Sequence, residues 1–333
     1  MTDFKTISGK KIKFQTSDLT MSTATEGELF YSDTSKEFKV GVTVEAWASG
    51  GNLTTGRYAG GGGGTQTAGI LGGGHVSPAS TVNAETYDGS SWTEVGNLNT
   101  ARMYQGGSGT STATLIAGGD QHPSPRFSLL VEEYDGTNWA EQTDIPTATK
   151  NAGTCGTQTA SLFFGGETPS GVGENFAYDG SSWTDTGHDL STDRAGLRGA
   201  GTSTAALAIG GTPVLTSSEE YDGSSWTAGG TLNTGFESGS ASGTQTAALA
   251  FGGFPNPNAV TEGYDGTSWS TKPSMGTGRY FSNLGSIGTN AAALVAGGNV
   301  SAGSNKTEEY TSAITFEFTG ETTALNLKTI TDS

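Results

Sequence analysis

The sequence predicts an all-β chain, a six-bladed β-propeller with a small β-rich appendage formed by both termini. Two observations carry this. Six tryptophans, Trp47, Trp92, Trp139, Trp183, Trp226 and Trp269, stand 45, 47, 44, 43 and 43 residues apart. Each opens the same run: a turn, an apolar residue, Thr, often Arg, a Gly-rich stretch, Gly-Thr-x-Thr-Ala, an apolar run, Gly-Gly, a variable loop and Tyr-Asp-Gly. A period in the forties built of short strands is a radial array, because each unit buries its apolar face only against its neighbours.

Four strands per repeat follow in order. The Gly-rich stretch is the first. The apolar runs at Ile70-Leu71, Leu115-Ala117, Leu162-Phe164, Leu207-Ile209, Leu249-Phe251 and Leu294-Ala296 form the second, each ending in a glycine pair. Short apolar runs bounded by Gly read as strands buried on both faces, and glycine there lets backbones approach closely. The third strand carries Tyr87, Tyr134, Tyr178, Tyr221 or Tyr264, and the fourth carries the next Trp. Asp-Gly between them predicts a type I′ hairpin, and Gly-Thr-x-Thr marks a second hairpin between the first and second strands. Four antiparallel strands per repeat make a propeller blade.

The last repeat lacks its tryptophan: Thr311-Ser312 follows Tyr310, and Thr315 takes the Trp position. Val42 to Trp47 has no blade in front of it, so this strand is expected to complete the sixth blade and close the ring, removing an exposed sheet edge. The domains expected are residues 1–41, an N-terminal β-rich attachment segment; 42–312, the propeller; and 313–333, C-terminal strands packing with the N-terminal segment. Ile12, Phe14, Leu29 and Tyr31, and Ile314, Phe316, Phe318, Leu325 and Leu327, supply the alternating pattern of these ends.

The repeat resembles the kelch repeat: an apolar strand ending in Gly-Gly, then a spaced Tyr, then a spaced Trp, over roughly residues 42 to 312. Thr-Gln-Thr-Ala-Ala-Leu-Ala-Phe-Gly-Gly and Glu-Glu-Tyr-Asp-Gly-Ser-Ser-Trp also look like kelch-type repeats of marine bacteriophage virion proteins. Residues Glu26 to Lys39 are similar to elements at the base of phage fibre and appendage proteins, departing at Phe30. The resemblance implies a tail fibre, appendage or decoration protein.

Composition sets bounds. The 333 residues include 54 glycines, are 32% hydrophobic and carry a net charge of −17. That field repels phosphate backbones and anionic lipid, so neither nucleic acid nor a membrane is an expected partner. No run is long enough to cross a bilayer, and Met1 to Phe14 has no signal-peptide pattern; the expected localisation is the virion, after synthesis in the host cytoplasm. Cys155 is the one cysteine, so no intrachain disulfide forms.

No chemical motif rides on the repeat. His75, His122 and His188 stand in loops of different blades, which favours solvated histidines over a metal site; no metal or cofactor is expected. Cys155, in the Gly-rich strand of the third repeat, reads as a core thiol. Glu85, Glu132, Glu219, Glu262 and Glu308 recur once per blade, which favours a structural role over a glycosidase pair. The chain is therefore expected not to be an enzyme.

Recognition is expected on the face with the variable loops, because loops on a rigid scaffold carry binding. There the candidates are His122, Arg126, Phe127, Phe254 and Asn256. Arg57, Arg102, Lys150, Arg194 and Arg279, with Phe236 in the remaining slot, recur at the start of the Gly-rich strand. They form either a basic ring for an anionic or hydroxyl-rich ligand, or ion pairs with the periodic glutamates that tie blades together. The leading expectation is a non-enzymatic virion protein. Its termini anchor it to other virion proteins, and its propeller is displayed for adhesion to a host-surface glycan or protein, or as decoration. An intracellular kelch adaptor binding a peptide, and a carbohydrate-active enzyme, are the alternatives.

Overall fold

The computed structural model describes residues 13–15, 29–32, 37–255, 257–282, 285–300 and 303–317. Compact packing separates Glu45–Thr311 from a second unit made of Met1–Val44 and Ser312–Ser333. In the second unit, Lys13–Gln15 pairs in parallel with Leu29–Ser32, which pairs antiparallel with the start of Glu37–Ser49. Most of the attachment segments expected at 1–41 and 313–333 lies outside the described residues, as does much of Glu26 to Lys39.

Glu45–Thr311 is a six-bladed β-propeller, and the described residues contain strands and turns with no helix. Blade 1 runs Gly61–Thr65, Ala68–Gly72, Ala84–Tyr87, Trp92–Glu94; blade 2 runs Gly106–Thr110, Ala113–Ala117, Val131–Tyr134, Trp139–Glu141. Blades 3, 4 and 5 repeat this order from Gly153–Thr157, Arg198–Gly201 and Ser240–Thr244. In the sixth blade Ala292–Ala296 pairs with Thr307–Glu317, which neighbours Glu37–Ser49 from the other end of the sequence. Trp47 there packs on Tyr310, with ring centroids 5.4 Å apart, as Trp92 packs on Tyr87 at 5.0 Å within blade 1.

The apolar interior is divided among the blade junctions rather than gathered at one centre. Each junction has its own cluster, such as Ile70, Leu98, Ile116, Tyr134 and Trp139 between blades 1 and 2. The apolar residue after each Trp, for instance Leu98, Ile145 or Leu232, belongs to one of these wedges. Adjacent first strands approach backbone to backbone, which explains their glycine content. A Cβ on Gly107 would stand 2.4 Å from Gly62 N, and one on Gly199 would stand 2.5 Å from Thr154 O.

The indole N–H groups show how the wedges differ. Trp92 and Trp47 donate to Thr307 and Thr261 hydroxyls, at 2.9 and 3.0 Å, at the start of the preceding blade's third strand. For Trp139 that position is Ala84, and its N–H is buried without a partner. Replacing Ala84 with Ser supplies the missing acceptor. A hydrogen bond nets about 0.5–1.5 kcal/mol, so Ala84→Ser is expected to raise the urea midpoint at unchanged m value.

The Asp-Gly turns differ from the two-residue type I′ hairpins the sequence suggests. Tyr87 pairs with Trp92, which leaves a four-residue loop. Asp88 Oδ1 accepts the Ser90 and Ser91 amides at 2.9 and 2.8 Å, and only Gly89, at φ 92°, is left-handed. The Asp side chain mimics a backbone turn, so the loop needs no second positive φ. These amide and hydroxyl donors hold the exposed Asp88 carboxyl down to about 2.

Candidate functional site

Two cyclic sets of backbone hydrogen bonds organise the loop face. Both residues of every Gly-Gly pair have positive φ, such as 64° and 102° at Gly73 and Gly74, which other residues adopt only under strain. This turn sends the second glycine's N–H to the next blade. Gly74 donates to Arg102 O, Gly119 to Thr149 O, Gly166 to Arg194 O, Gly211 to Phe236 O, Gly253 to Arg279 O and Gly298 to Arg57 O, closing the circle.

Two residues beyond each of those carbonyls stands a second ring. Ala59, Tyr104, Asn151, Gly196, Ser238 and Phe281 are all left-handed, with φ between 49° and 66°. Each donates its N–H to the corresponding carbonyl of the preceding blade, at 2.6 to 3.0 Å, and Ala59 N to Phe281 O closes the ring. Five of these six are not glycine, so backbone strain of order 1–3 kcal/mol each is held at the mouth of the axis by the surrounding hydrogen bonds. Positive φ at Tyr104 or Phe281 leaves no compositional signal, and the sequence reading missed the ring.

This register corrects one candidate. Thr149, not Lys150, occupies the slot of Arg57 and Arg102. The third blade's slot carries no cation, and its partner position holds Phe176 instead of glutamate. Lys150 falls one residue on and reaches Asp120, its Nζ 3.3 Å from Oδ2.

The four remaining arginines are not presented to a ligand. Arg57, Arg102, Arg194 and Arg279 are at most 1% exposed. Each binds the glutamate of its own blade's third strand. Arg102 Nη2 lies 3.0 Å from Glu132 and Arg194 Nη2 2.7 Å from Glu219, while Arg57 and Arg279 pair with Glu85 and Glu308. Nη1 of Arg102 donates to Gly118 O and Leu130 O, the two ends of the variable loop, at 3.1 and 2.5 Å. Glu132 meanwhile accepts the Asn99 and Thr100 amides at 2.7 and 3.3 Å. The pair is a brace across the neck of the variable loop in four of the six blades. Burial lowers the arginine pKa values, and the paired carboxylates oppose that shift. In blade 5 Phe236 replaces the arginine; Glu262 keeps the Asn233 and Thr234 amides, and a pocket of about 10 Å³ beside it has room for one water.

Around the inner ring, the residue preceding each left-handed position bonds to the start of the adjoining variable loop. Tyr58 bonds with His75, Met103 with Asp120, Lys150 with Glu167, and Tyr280 with Asn299. Ala195 accepts from Thr212 N, and Glu237 from Phe254 N. These positions do not repeat, so the mouth is chemically lopsided.

One sector is charged. Asp120, fully buried, accepts His122 N at 2.8 Å, Arg126 Nε at 2.8 Å and Lys150 Nζ at 3.3 Å. Lys150 also lies 4.9 Å over the Phe127 ring. Four of the candidates, His122, Arg126, Phe127 and Lys150, are thus gathered by Asp120, which the sequence reading left unremarked.

The neighbouring sector is aromatic. Tyr58 stacks at a tilt on His75, with centroids 4.9 Å apart, and His75 stands edge-on to His122 at 6.2 Å. Tyr104 meets Phe281 at 4.9 Å, Phe281 meets Tyr280 at 5.2 Å, and Tyr280 meets Phe254 at 5.1 Å. His75 and His122, read as separate solvated loop residues, are brought together, and both Nδ1 atoms are buried without a partner. Burial, then the neighbouring His122, lowers the His75 pKa. Asn256 lies outside the described residues.

Elsewhere the chemistry is spent on structure. The Cys155 thiol is buried, donates to Thr202 O at 3.2 Å, and burial raises its pKa. His188 is exposed, away from the other two histidines. Among the described residues no group of three or more His, Cys, Asp or Glu side chains is arranged to hold a metal. A groove of about 490 Å³ lined by Ser49, Asn52, Thr277 and Glu308 offers only one carboxylate, already bound to Arg279. What fold and site define is a six-bladed propeller with an asymmetric aromatic and charged mouth. No protein-family model matches the chain, and no curated protein does so either.

Proposed function

We propose that this protein is a non-enzymatic recognition module that binds through the mouth of its loop face, displayed on a bacteriophage particle as an adhesion or decoration protein. The observation that carries the binding reading is the contrast between repeating and non-repeating positions. The Arg–Glu braces of four blades and the apolar wedges of the repeat are buried, whereas Tyr58, Tyr104, Tyr280, His75 and Phe254, of types that do not recur around the ring, collect, partly exposed, at one mouth. A rigid scaffold carrying variable side chains at one end is how propellers and sandwiches build recognition. The particle setting rests on the resemblance of the repeats and of Glu26 to Lys39 to virion proteins.

Immunogold electron microscopy of purified particles, with antibody against Glu45–Thr311, tests the setting. Label at tail or fibre tips is expected for adhesion and label over the head for decoration. Particles without label overturn the virion reading and favour an intracellular adaptor that uses the same face.

A further inference from the structure

The aromatic sector holds three phenols that the fold does not use. Tyr87 and Tyr264 of the blades give their hydroxyls to Glu309 and Glu220. The Tyr58, Tyr104 and Tyr280 hydroxyls make no hydrogen bond within the described residues, and none of the three is among the sealed, partnerless polar atoms. They converge: Tyr58, Tyr104 and Phe281 pack on one cluster around Ala59 and Met103, and Phe281 meets the Tyr280 ring at 5.2 Å. Burial is the first cause that raises the Tyr58 and Tyr104 phenols, so they remain protonated donors at neutral pH.

Ring faces and hydroxyls thus meet at one place, and the charged side chains beside it are already partnered. Asp120 is neutralised by Arg126 and Lys150. Glu237 accepts Val214 N at 3.2 Å. Aromatic faces carry negative potential and attract the positive C–H edges of a ligand. Phenol hydroxyls set orientation as the few convergent polar groups of a small-molecule site do. Aliphatic anchors of the kind a protein interface uses are sparse. The exposed large hydrophobics among the described residues are Val44, Leu129, Phe254 and Val300, and only Phe254 joins this cluster.

We infer that the mouth binds a neutral saccharide, one sugar ring stacked on the Tyr280 ring, with the Tyr58, Tyr104 and Tyr280 hydroxyls bonding its hydroxyls. The inference rests on the recognition reading and names the ligand class for that surface. The left-handed ring beneath fixes the backbone of Tyr104 and of the neighbours of Tyr58 and Tyr280, so these side chains stand on a rigid floor.

The test uses the full chain against immobilised neutral oligosaccharides ending in glucose, galactose, mannose or N-acetylglucosamine. Binding to at least one of these is expected, with little change between low and 0.5 M salt. Tyr280→Ala is expected to weaken it at least about tenfold, from lost stacking worth 1.4 kcal/mol or more. Tyr58→Phe, which keeps the ring and removes the hydroxyl, is expected to weaken it several-fold. Ser90→Ala on the opposite face is expected to change nothing, and melting curves show whether each variant is folded. Absence of binding to every oligosaccharide, binding indifferent to Tyr280→Ala and Tyr58→Phe, or binding abolished by salt overturns the inference. Adsorption to host cells separates the two claims: cell binding that survives the tyrosine changes removes the saccharide and leaves recognition standing.

Discussion

Replacing Arg102 with alanine is expected to lower the stability of the propeller by about 3–5 kcal/mol, the usual cost of breaking a buried ion pair from one side. The loss has identifiable parts. Glu132 stays buried with its negative charge, keeping only the Asn99 and Thr100 amides. Gly118 O loses its donor, Leu130 O is left with the Gly118 amide alone, and the neck of the variable loop loses its brace. Adding Glu132→Gln removes the stranded charge while keeping an acceptor for one of the two amides. The double variant with Arg102→Met, which also refills the guanidinium stem, is expected to recover part of the stability. Urea unfolding of the three proteins measures this, and a loss below about 1 kcal/mol for Arg102→Ala means that the arginine is not a brace.

Gly107→Ala is expected to be nearly as damaging, at about 3 kcal/mol, the upper range for overpacking a closed interior. The added methyl carbon would meet Gly62 N at 2.4 Å and Gly62 O at 2.5 Å, and both are backbone atoms of the adjacent blade. Relief requires moving a whole blade. Gly187→Ala makes the comparison fair. That glycine has φ 66°, but nothing lies within 4 Å of the added carbon. Its cost is the backbone term alone, about 1–2 kcal/mol. Thermal or urea unfolding of both variants reads the difference; equal losses mean that crowding between first strands does not set the glycine content.

These two sites also show what could be read from the chain. The blade count, the four strands, and the pairing of periodic Arg with periodic Glu as one of two options all follow from a pattern repeated in register. Repetition makes a weak local signal visible six times. The candidate mouth was only half legible for the opposite reason. Phe254, His122, Arg126 and Phe127 stand out in loops, but Tyr58, Tyr104 and Tyr280 sit inside the repeat and resemble ordinary strand aromatics. Their meaning depends on a left-handed ring formed by hydrogen bonds between residues some 45 positions apart. Lys150 was assigned to the arginine slot because it is the one basic residue there, although Thr149 stands ten residues after Trp139 as Arg102 stands ten after Trp92; the Gly119-to-Thr149 bond fixes that register. The turn type at Asp88 was misjudged because Asx hydrogen bonding substitutes for the second positive φ.

The central claim is that this propeller recognises its target through the aromatic mouth. Hydroxyl-radical footprinting of the full chain, free and bound to intact host cells, tests it most directly. Protection of Tyr58, Tyr104 and Tyr280, with Trp183 at the opposite edge of its blade unchanged, is the predicted result. Unchanged labelling of all three tyrosines in the bound protein contradicts it.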